Sequence, residues 1–90
     1  MLAWTVEVAP RARKALGKLD RQVANRIIAM LEDISALEDP RIRGHALTGK
    51  FLGLWRYRVG DWRVIVKIEE GRLVIVVVAV GNRRDVYRDK

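Results

Sequence analysis

Residues 52–80 read LGLWRYRVGDWRVIVKIEEGRLVIVVVAV, and this stretch decides the fold. Its first two apolar segments, 52–59 and 62–68, are separated by Gly60 and Asp61, a pair typical of a tight hairpin turn. After a polar break, the run 73–80 is apolar on both faces, which indicates a central strand. We therefore predict three consecutive antiparallel strands.

The residues that precede this stretch predict one more strand and two helices. Residues 2–8 alternate apolar and other side chains with period two, as in a half-buried strand. Pro10 suits the first turn of a helix that ends near Leu19, and Asp20 is a good N-cap for a second helix that stops at Pro40. The predicted fold is α+β with the order β-α-α-β-β-β: one domain over residues 1–90, an antiparallel sheet with two N-terminal helices on one face.

Composition excludes much catalytic chemistry. The chain has 90 residues and no cysteine, and it carries one histidine, His45, and one serine, Ser35. Disulfides, thiolate zinc sites and a Ser-His-Asp triad are therefore excluded, and we expect no metal and no cofactor. The absence of disulfides, of a signal-peptide pattern and of an apolar run long enough for a membrane predicts a cytoplasmic protein without a membrane partner.

The charge points to a polyanion. Lys and Arg number 18 against 11 Asp and Glu, a net charge of +7, and seven of these cations lie within residues 41–67 beside a single carboxylate. Period two puts Arg56 and Arg58 on one face, with Arg63 across the turn. Like charges on adjacent strands repel unless an anion lies between them, so this face predicts a polyanion site.

Three aromatic residues interleave with these arginines. Aromatic rings that alternate with arginine suit the unstacked bases of single-stranded RNA. Trp62 is expected to pack in the core, whereas Tyr57 is assigned to the arginine face as the stacking residue. Trp55 is the third member of this set.

Two motifs resemble a known family. The segments GLWRYRVGDWRV at 53–64 and VGNRRDVYR at 80–88 are similar to the RelE group of the RelE/ParE toxin superfamily, the toxins of bacterial type II toxin–antitoxin pairs. The resemblance spans essentially the whole chain. It implies a fold similar to that of microbial ribonucleases. It also implies a metal-independent endoribonuclease that cuts messenger RNA in the ribosomal A site by attack of the 2′-OH.

The resemblance also implies roles by motif position. Arg63 and Arg83 would stabilise the scissile phosphate, and Tyr87 would stack on a base and assist proton transfer. Arg56 and Arg58 join the catalytic set, but they stand where the best-known members carry lysines, and a guanidinium cannot be a general base.

The general base therefore stays open. Tyr87 and Lys50 are candidates, and Lys67 is expected to lie too far along its strand. His45 is a further but weaker candidate for the general base, because it is expected in a glycine-flanked loop without a fixed partner. The remaining RNA-binding residues are predicted in the basic loop, on the arginine face and in the tail: Arg41, Arg43, Lys50, Tyr57, Arg84 and Arg88.

A partner follows from the resemblance. Such toxins are held inactive by an antitoxin, here expected to be acidic, RelB-like and folded on binding, in a heterotetramer or larger complex. The helix grooves with Arg11, Arg13 and Arg26 are the predicted docking surface.

Two alternatives share the basic face. A ParE-like protein would have the same fold and inhibit DNA gyrase without a nuclease site, which leaves Arg63, Arg83 and Tyr87 unexplained. A non-catalytic RNA- or ribosome-binding module would need the basic face but tolerate loss of Tyr87.

Overall fold

Seven regular elements make up residues 3–86, the part of the chain that the computed structural model describes. Two short 3₁₀ turns, Pro40–Arg43 and Gly49–Phe51, flank the second strand. In chain order the helices and strands are β1 (Thr5–Val8), α1 (Pro10–Gly17), α2 (Arg21–Ser35), β2 (His45–Ala46), β3 (Leu54–Val59), β4 (Trp62–Glu69) and β5 (Val74–Asn82).

The strands form one mixed sheet in the order β1-β5-β4-β3-β2. Strands β3, β4 and β5 make the predicted antiparallel meander, and β5 has a neighbour on both sides, as expected of a central strand. At the β3–β4 turn, Gly60 has a φ of 60°, which glycine adopts without steric cost. The α+β class, with two helices against one sheet, is confirmed.

Two details of the sheet differ from the prediction. Strand β1 runs parallel to β5, with Thr5 opposite Val74, whereas we expected antiparallel pairing throughout. The alternation in residues 2–8 defines which face is buried but carries no information on the direction of the neighbouring strand. Strand β2 was not predicted, because its two exposed residues, His45 and Ala46, are too few to show a period.

Local signals explain the helix ends. Pro10 opens α1, where its missing N–H leaves no hydrogen bond unmade. Asp20 caps α2, since its Oδ1 accepts from the Gln22 N–H at 3.1 Å. Helix α2 ends at Ser35, five residues before Pro40, and the Ser35 carbonyl there accepts from the Trp4 N–H at 3.0 Å.

The core lies between the helices and one face of the sheet. Ile27 and Ile34 of α2 and Val64, Val66 and Ile75 of the sheet are all fully buried in one cluster. No helix among residues 3–86 packs on the other face of the sheet, which we call the open face. No helix within this range is long and apolar enough to cross a bilayer.

Candidate active site

The open face carries three of the predicted site residues. Arg56 and Arg58 of β3 alternate with the core residues Tyr57 and Val59, and Arg58 is the register partner of Arg63 on β4. Register partners in an antiparallel pair point to the same face, with Cα atoms about 4.5–5.5 Å apart. The pairing of β3 with β4 therefore brings these arginines together.

Backbone hydrogen bonds bring Arg83 to the same end of the sheet. The Arg83 N–H donates to Asp61 O at 2.9 Å, which joins the turn after β5 to the β3–β4 turn. The N–H groups of Asp85 and Val86 close this second turn by donating to Asn82 O, both at 2.9 Å. We call this end of the sheet the arginine end, and its members are Arg58, Arg63, Arg83 and Arg84.

The guanidinium of Arg63 is held against the hairpin turn. Its Nη1 donates to Gly60 O at 2.9 Å and to Trp62 O at 3.0 Å, which leaves its other N–H groups for an anion. Arg56 is half-buried, and its Nε is buried without a hydrogen bond to any described residue. Arg58 is exposed. Two arginines of the face are thus partly ordered before any ligand binds.

The ion pairs in which both partners lie within residues 3–86 cluster around the turn that joins β4 to β5, away from the arginine end. They are Arg41 with Asp39 (2.8 Å) and Glu70 (3.4 Å), Lys67 with Glu69 (3.6 Å), and Arg72 with Glu7 (3.4 Å) and Glu69. Hydrogen bonds from Arg41 hold the pKa of Asp39 below its usual value. Within residues 3–86, no ion pair involves Arg56 or any member of the arginine end.

Tyr57 lies in the core, so the prediction that it stacks on bases from the arginine face is wrong. Its side chain is 2% exposed, and its hydroxyl donates to Pro40 O at 2.8 Å. Burial raises the pKa of Tyr57 to about 12. Trp55 and Trp62 also pack against the core cluster, as expected for Trp62. None of the three interleaved aromatics is a base platform on the open face.

The predicted loop cations occupy different surroundings. Arg41 is engaged by Asp39 and Glu70, and Glu70 follows β4 at the end opposite Arg63, so the structure does not bring Arg41 to the arginine end. Lys50 lies over the Phe51 ring, 5.7 Å from its centroid, and is exposed. Arg43 is exposed immediately before β2.

His45 occupies a defined position that sequence reasoning missed. It lies in β2 as the register partner of Arg56, and therefore on the open face, instead of in an unpaired loop. The only sequence signal was its place shortly before the strand that carries the arginines.

The predicted antitoxin residues fall at two places. Arg11 lines a cavity of about 420 Å³ between α1 and the end of β5, where Lys14 and Lys18 also face it. Arg26 lies apart from it, with a guanidinium nitrogen 3.4 Å from the position that a Cβ would take at Gly60. Arg13 is exposed on α1.

Two predicted residues, Tyr87 and Arg88, lie outside the described residues. Among residues 3–86, no group of three or more His, Cys, Asp or Glu side chains is placed to hold a metal ion.

The structure thus combines a mixed sheet, two helices packed on one face and a cluster of arginines at one end of the sheet. A sequence model described as the ParE toxin of the type II toxin–antitoxin system, parDE, matches residues 6–87. The chain belongs to this family, within the RelE/ParE toxin superfamily.

Individual relatives agree with this assignment. Toxin RelG of Mycobacterium tuberculosis is 25% identical over 87 residues, which cover 97% of this chain and 99% of RelG. The toxin–antitoxin complex RelBE2 of M. tuberculosis contains a chain with a TM-score of 0.83 and 26% identity, covering 94% of this chain and 97% of that one. A chain of the intact Escherichia coli RelBE complex shares the fold, with a TM-score of 0.73 and 22% identity over 89% of this chain and 96% of that one.

Proposed function

We propose that this toxin is a metal-independent endoribonuclease that cuts messenger RNA in the ribosomal A site. The observation that carries the proposal is the arginine end, where Arg58 and Arg63 are register partners, a backbone hydrogen bond holds Arg83 at the same turn, and no ion pair within residues 3–86 neutralises them. Closely spaced guanidinium groups without carboxylate partners attract a polyanion. The similarity to RelE-type toxins favours RNA as that polyanion.

Arg63 and Arg83 are proposed to clamp the scissile phosphate. A guanidinium can donate two parallel N–H···O bonds to a phosphate, and these bonds strengthen as charge builds on the phosphoryl oxygens. Because Gly60 O and Trp62 O already orient Arg63, little reorganisation is needed when the substrate binds. Arg56 and Arg58 add positive charge along the same face.

The nucleophile is proposed to come from the substrate. Ser35 is the one serine of the chain, and it is the last residue of α2, outside the arginine end. Its hydroxyl donates to Glu32 O at 2.8 Å. RNA carries a 2′-OH beside every phosphate, and DNA does not. Attack by this oxygen breaks the P–O5′ bond and leaves a 2′,3′-cyclic phosphate and a 5′-hydroxyl.

Residues around the clamp are proposed to hold the flanking RNA. Tyr87 takes the stacking and proton-transfer role by its motif position, and Arg84 and Arg88 bind neighbouring phosphates. Arg43 and Lys50 extend the basic surface beside β3. Because arginine cannot transfer protons, the ribosome is proposed to supply much of the alignment, and cleavage of free RNA is expected to be slow.

The proposed partner is an acidic antitoxin of the RelB type. Solved relatives include the toxin–antitoxin complexes RelBE2 and RelBE. The basic cavity with Arg11, Lys14 and Lys18 suits an acidic helical segment that folds as it binds, and Arg13 and Arg26 widen the basic helix surface. We propose a heterotetramer or larger complex that assembles in the cytoplasm, where the ribosomes are.

The test is to induce the chain in bacteria and map transcript ends. We expect cuts at fixed positions within codons, and Arg63→Ala or Arg83→Ala is expected to lower cleavage about 10²–10³-fold, because each removes donors from the phosphoryl oxygens. Arg72→Ala, which removes a cation paired with Glu7 and Glu69, is the matched control and should cut at the parental rate. Antitoxin binding should persist in all three variants.

One specific observation favours a second function: the matching family model carries the ParE name. Plasmid supercoiling is therefore measured in the same cultures. Altered DNA topology with intact transcripts would overturn the nuclease in favour of gyrase inhibition. Growth arrest with neither change would favour a non-catalytic ribosome-binding module.

A further inference from the structure

The open face carries an imidazole, the side chain that proteins use most often as a general acid or base. His45 is exposed, and its pairing with Arg56 puts its imidazole on the same face as the arginines. Arg58, two residues along β3, is its diagonal neighbour, at a typical separation of about 7–8 Å. Arg58 in turn is the register partner of Arg63. Arg58 on β3 therefore lies between His45 on β2 and Arg63 on β4, so a scissile phosphate that Arg63 clamps and Arg58 also contacts is on the same face as the imidazole.

The other titratable groups around this face are less suited to accept a proton. Glu69 and Glu7 are held in ion pairs with Arg72, and Lys67 is paired with Glu69 at the opposite end of β4. Asp61 is an exposed carboxylate in the β3–β4 turn, outside the paired residues of the two strands.

We propose that His45 is the general base of the cleavage reaction, an inference that rests on the proposed nuclease function. The imidazole takes the proton of the 2′-OH while the 2′-oxygen bonds to phosphorus. The P–O5′ bond breaks with its electron pair on O5′, which takes a proton from a separate acid, water or the proposed Tyr87. Because the attacking and leaving oxygens lie on opposite sides of phosphorus, the base and the acid are different groups.

Single-turnover cleavage of ribosome-bound messenger RNA tests this role. His45→Ala and His45→Gln are each expected to slow cleavage about 10²–10⁴-fold, the usual contribution of general acid–base catalysis, with RNA and antitoxin binding unchanged. Added imidazole should restore part of the rate in His45→Ala. The matched control Asp33→Asn changes an exposed carboxylate of α2 and should cut within about threefold of the parental rate, since α2 packs on the other face of the sheet.

A substrate with sulfur in place of O5′ separates base from acid. A thiolate leaves without a proton, so loss of a general acid no longer slows the reaction, whereas loss of a general base still does. We expect the His45→Ala defect to persist on this substrate.

Three results would overturn the proposal: cleavage by His45→Gln at the parental rate, no rescue by imidazole, or disappearance of the defect on the sulfur substrate. Failure of the parental protein to cut any ribosome-bound RNA would instead reject the proposed function itself.

Discussion

Successive side chains of β3 point to opposite faces of the sheet. Arg56 and Arg58 lie on the open face, whereas Tyr57 between them is buried, with its hydroxyl bonded to Pro40 O at 2.8 Å. Alternation along β3 alone requires this result, so the signal against Tyr57 as a stacking residue was present in the sequence. The sequence did not reveal which group accepts the hydrogen bond of the Tyr57 hydroxyl, because Pro40 O lies 17 residues away.

Tyr57 gives a prediction at the residue scale. Because its pKa is raised to about 12 in the folded state, the folded chain keeps a proton that the unfolded chain releases above about pH 10. Stability should therefore fall as pH rises from about 10 to 12. Tyr57→Phe should cost about 1–2 kcal/mol at pH 7, from loss of the bond to Pro40 O, and show a shallower alkaline decline.

Urea unfolding at pH 7, 10 and 11.5 measures both effects. Equal alkaline slopes for the parental chain and Tyr57→Phe would show that the phenol is not responsible for the loss of stability.

Some helices and strands could be predicted from the sequence near them, and others could not. The β3–β4–β5 meander follows from alternation and a Gly60 turn, and α2 from its Asp20 cap, all of which are local signals. The direction of β1, the two-residue β2 and the early end of α2 depend on distant contacts, such as the Trp4 N–H bond to Ser35 O. The residues adjacent to each of these features in the sequence do not identify the distant residues that they contact.

The candidate site also has a part that could be predicted from the sequence and a part that could not. The cluster of Arg58 with Arg63 follows from hairpin register, which a sequence can reveal. The position of His45 depends on β2, and the engagement of Arg41 by Glu70 joins residues that are 29 positions apart. Neither could be predicted from spacing along the chain.

Two glycines give a matched prediction at the element scale. A Cβ at Gly44 would lie 2.9 Å from the ring of Tyr57, which is buried and tethered, so Gly44→Ala should destabilise the chain by about 1–3 kcal/mol. A Cβ at Gly17, the last residue of α1, meets nothing within 4 Å. Gly17→Ala should therefore stabilise by about 0.5 kcal/mol through helix propensity.

Thermal and urea unfolding of the two variants are compared with the parental chain. Equal shifts in both variants would indicate that contact with Tyr57 is not the cause.

The whole molecule is electrically polarised along its strands. Carboxylates engage Arg41, Lys67 and Arg72 near the β4–β5 turn, while the arginine end is left without ion pairs inside residues 3–86. The arginines at one end of the sheet therefore lack carboxylate partners within residues 3–86, whereas the cations at the other end are compensated.

This polarity predicts that RNA binding depends more on where cations are removed than on how many are removed. Arg58→Gln with Arg84→Gln should flatten the salt dependence of single-stranded RNA binding by about 1.4 in log–log slope, at about 0.7 per lost phosphate contact. Arg13→Gln with Arg21→Gln, two exposed helix residues, removes the same charge and should leave that slope unchanged. Filter binding over a salt series measures both, and equal slopes in the two double variants would reject a localised RNA surface.

The parallel pairing of β1 with β5 has a consequence for synthesis. Thr5 finds its partner, Val74, only after α1, α2 and strands β2 to β4 have been made, because β1 joins the sheet through β5. Such pairing across distant positions is slow, and it cannot begin before β5 has been made. Arg83 follows β5 and is the last member of the clamp to be made. A nascent chain that still lacks β5 therefore also lacks Arg83, and with it one half of the proposed phosphate clamp.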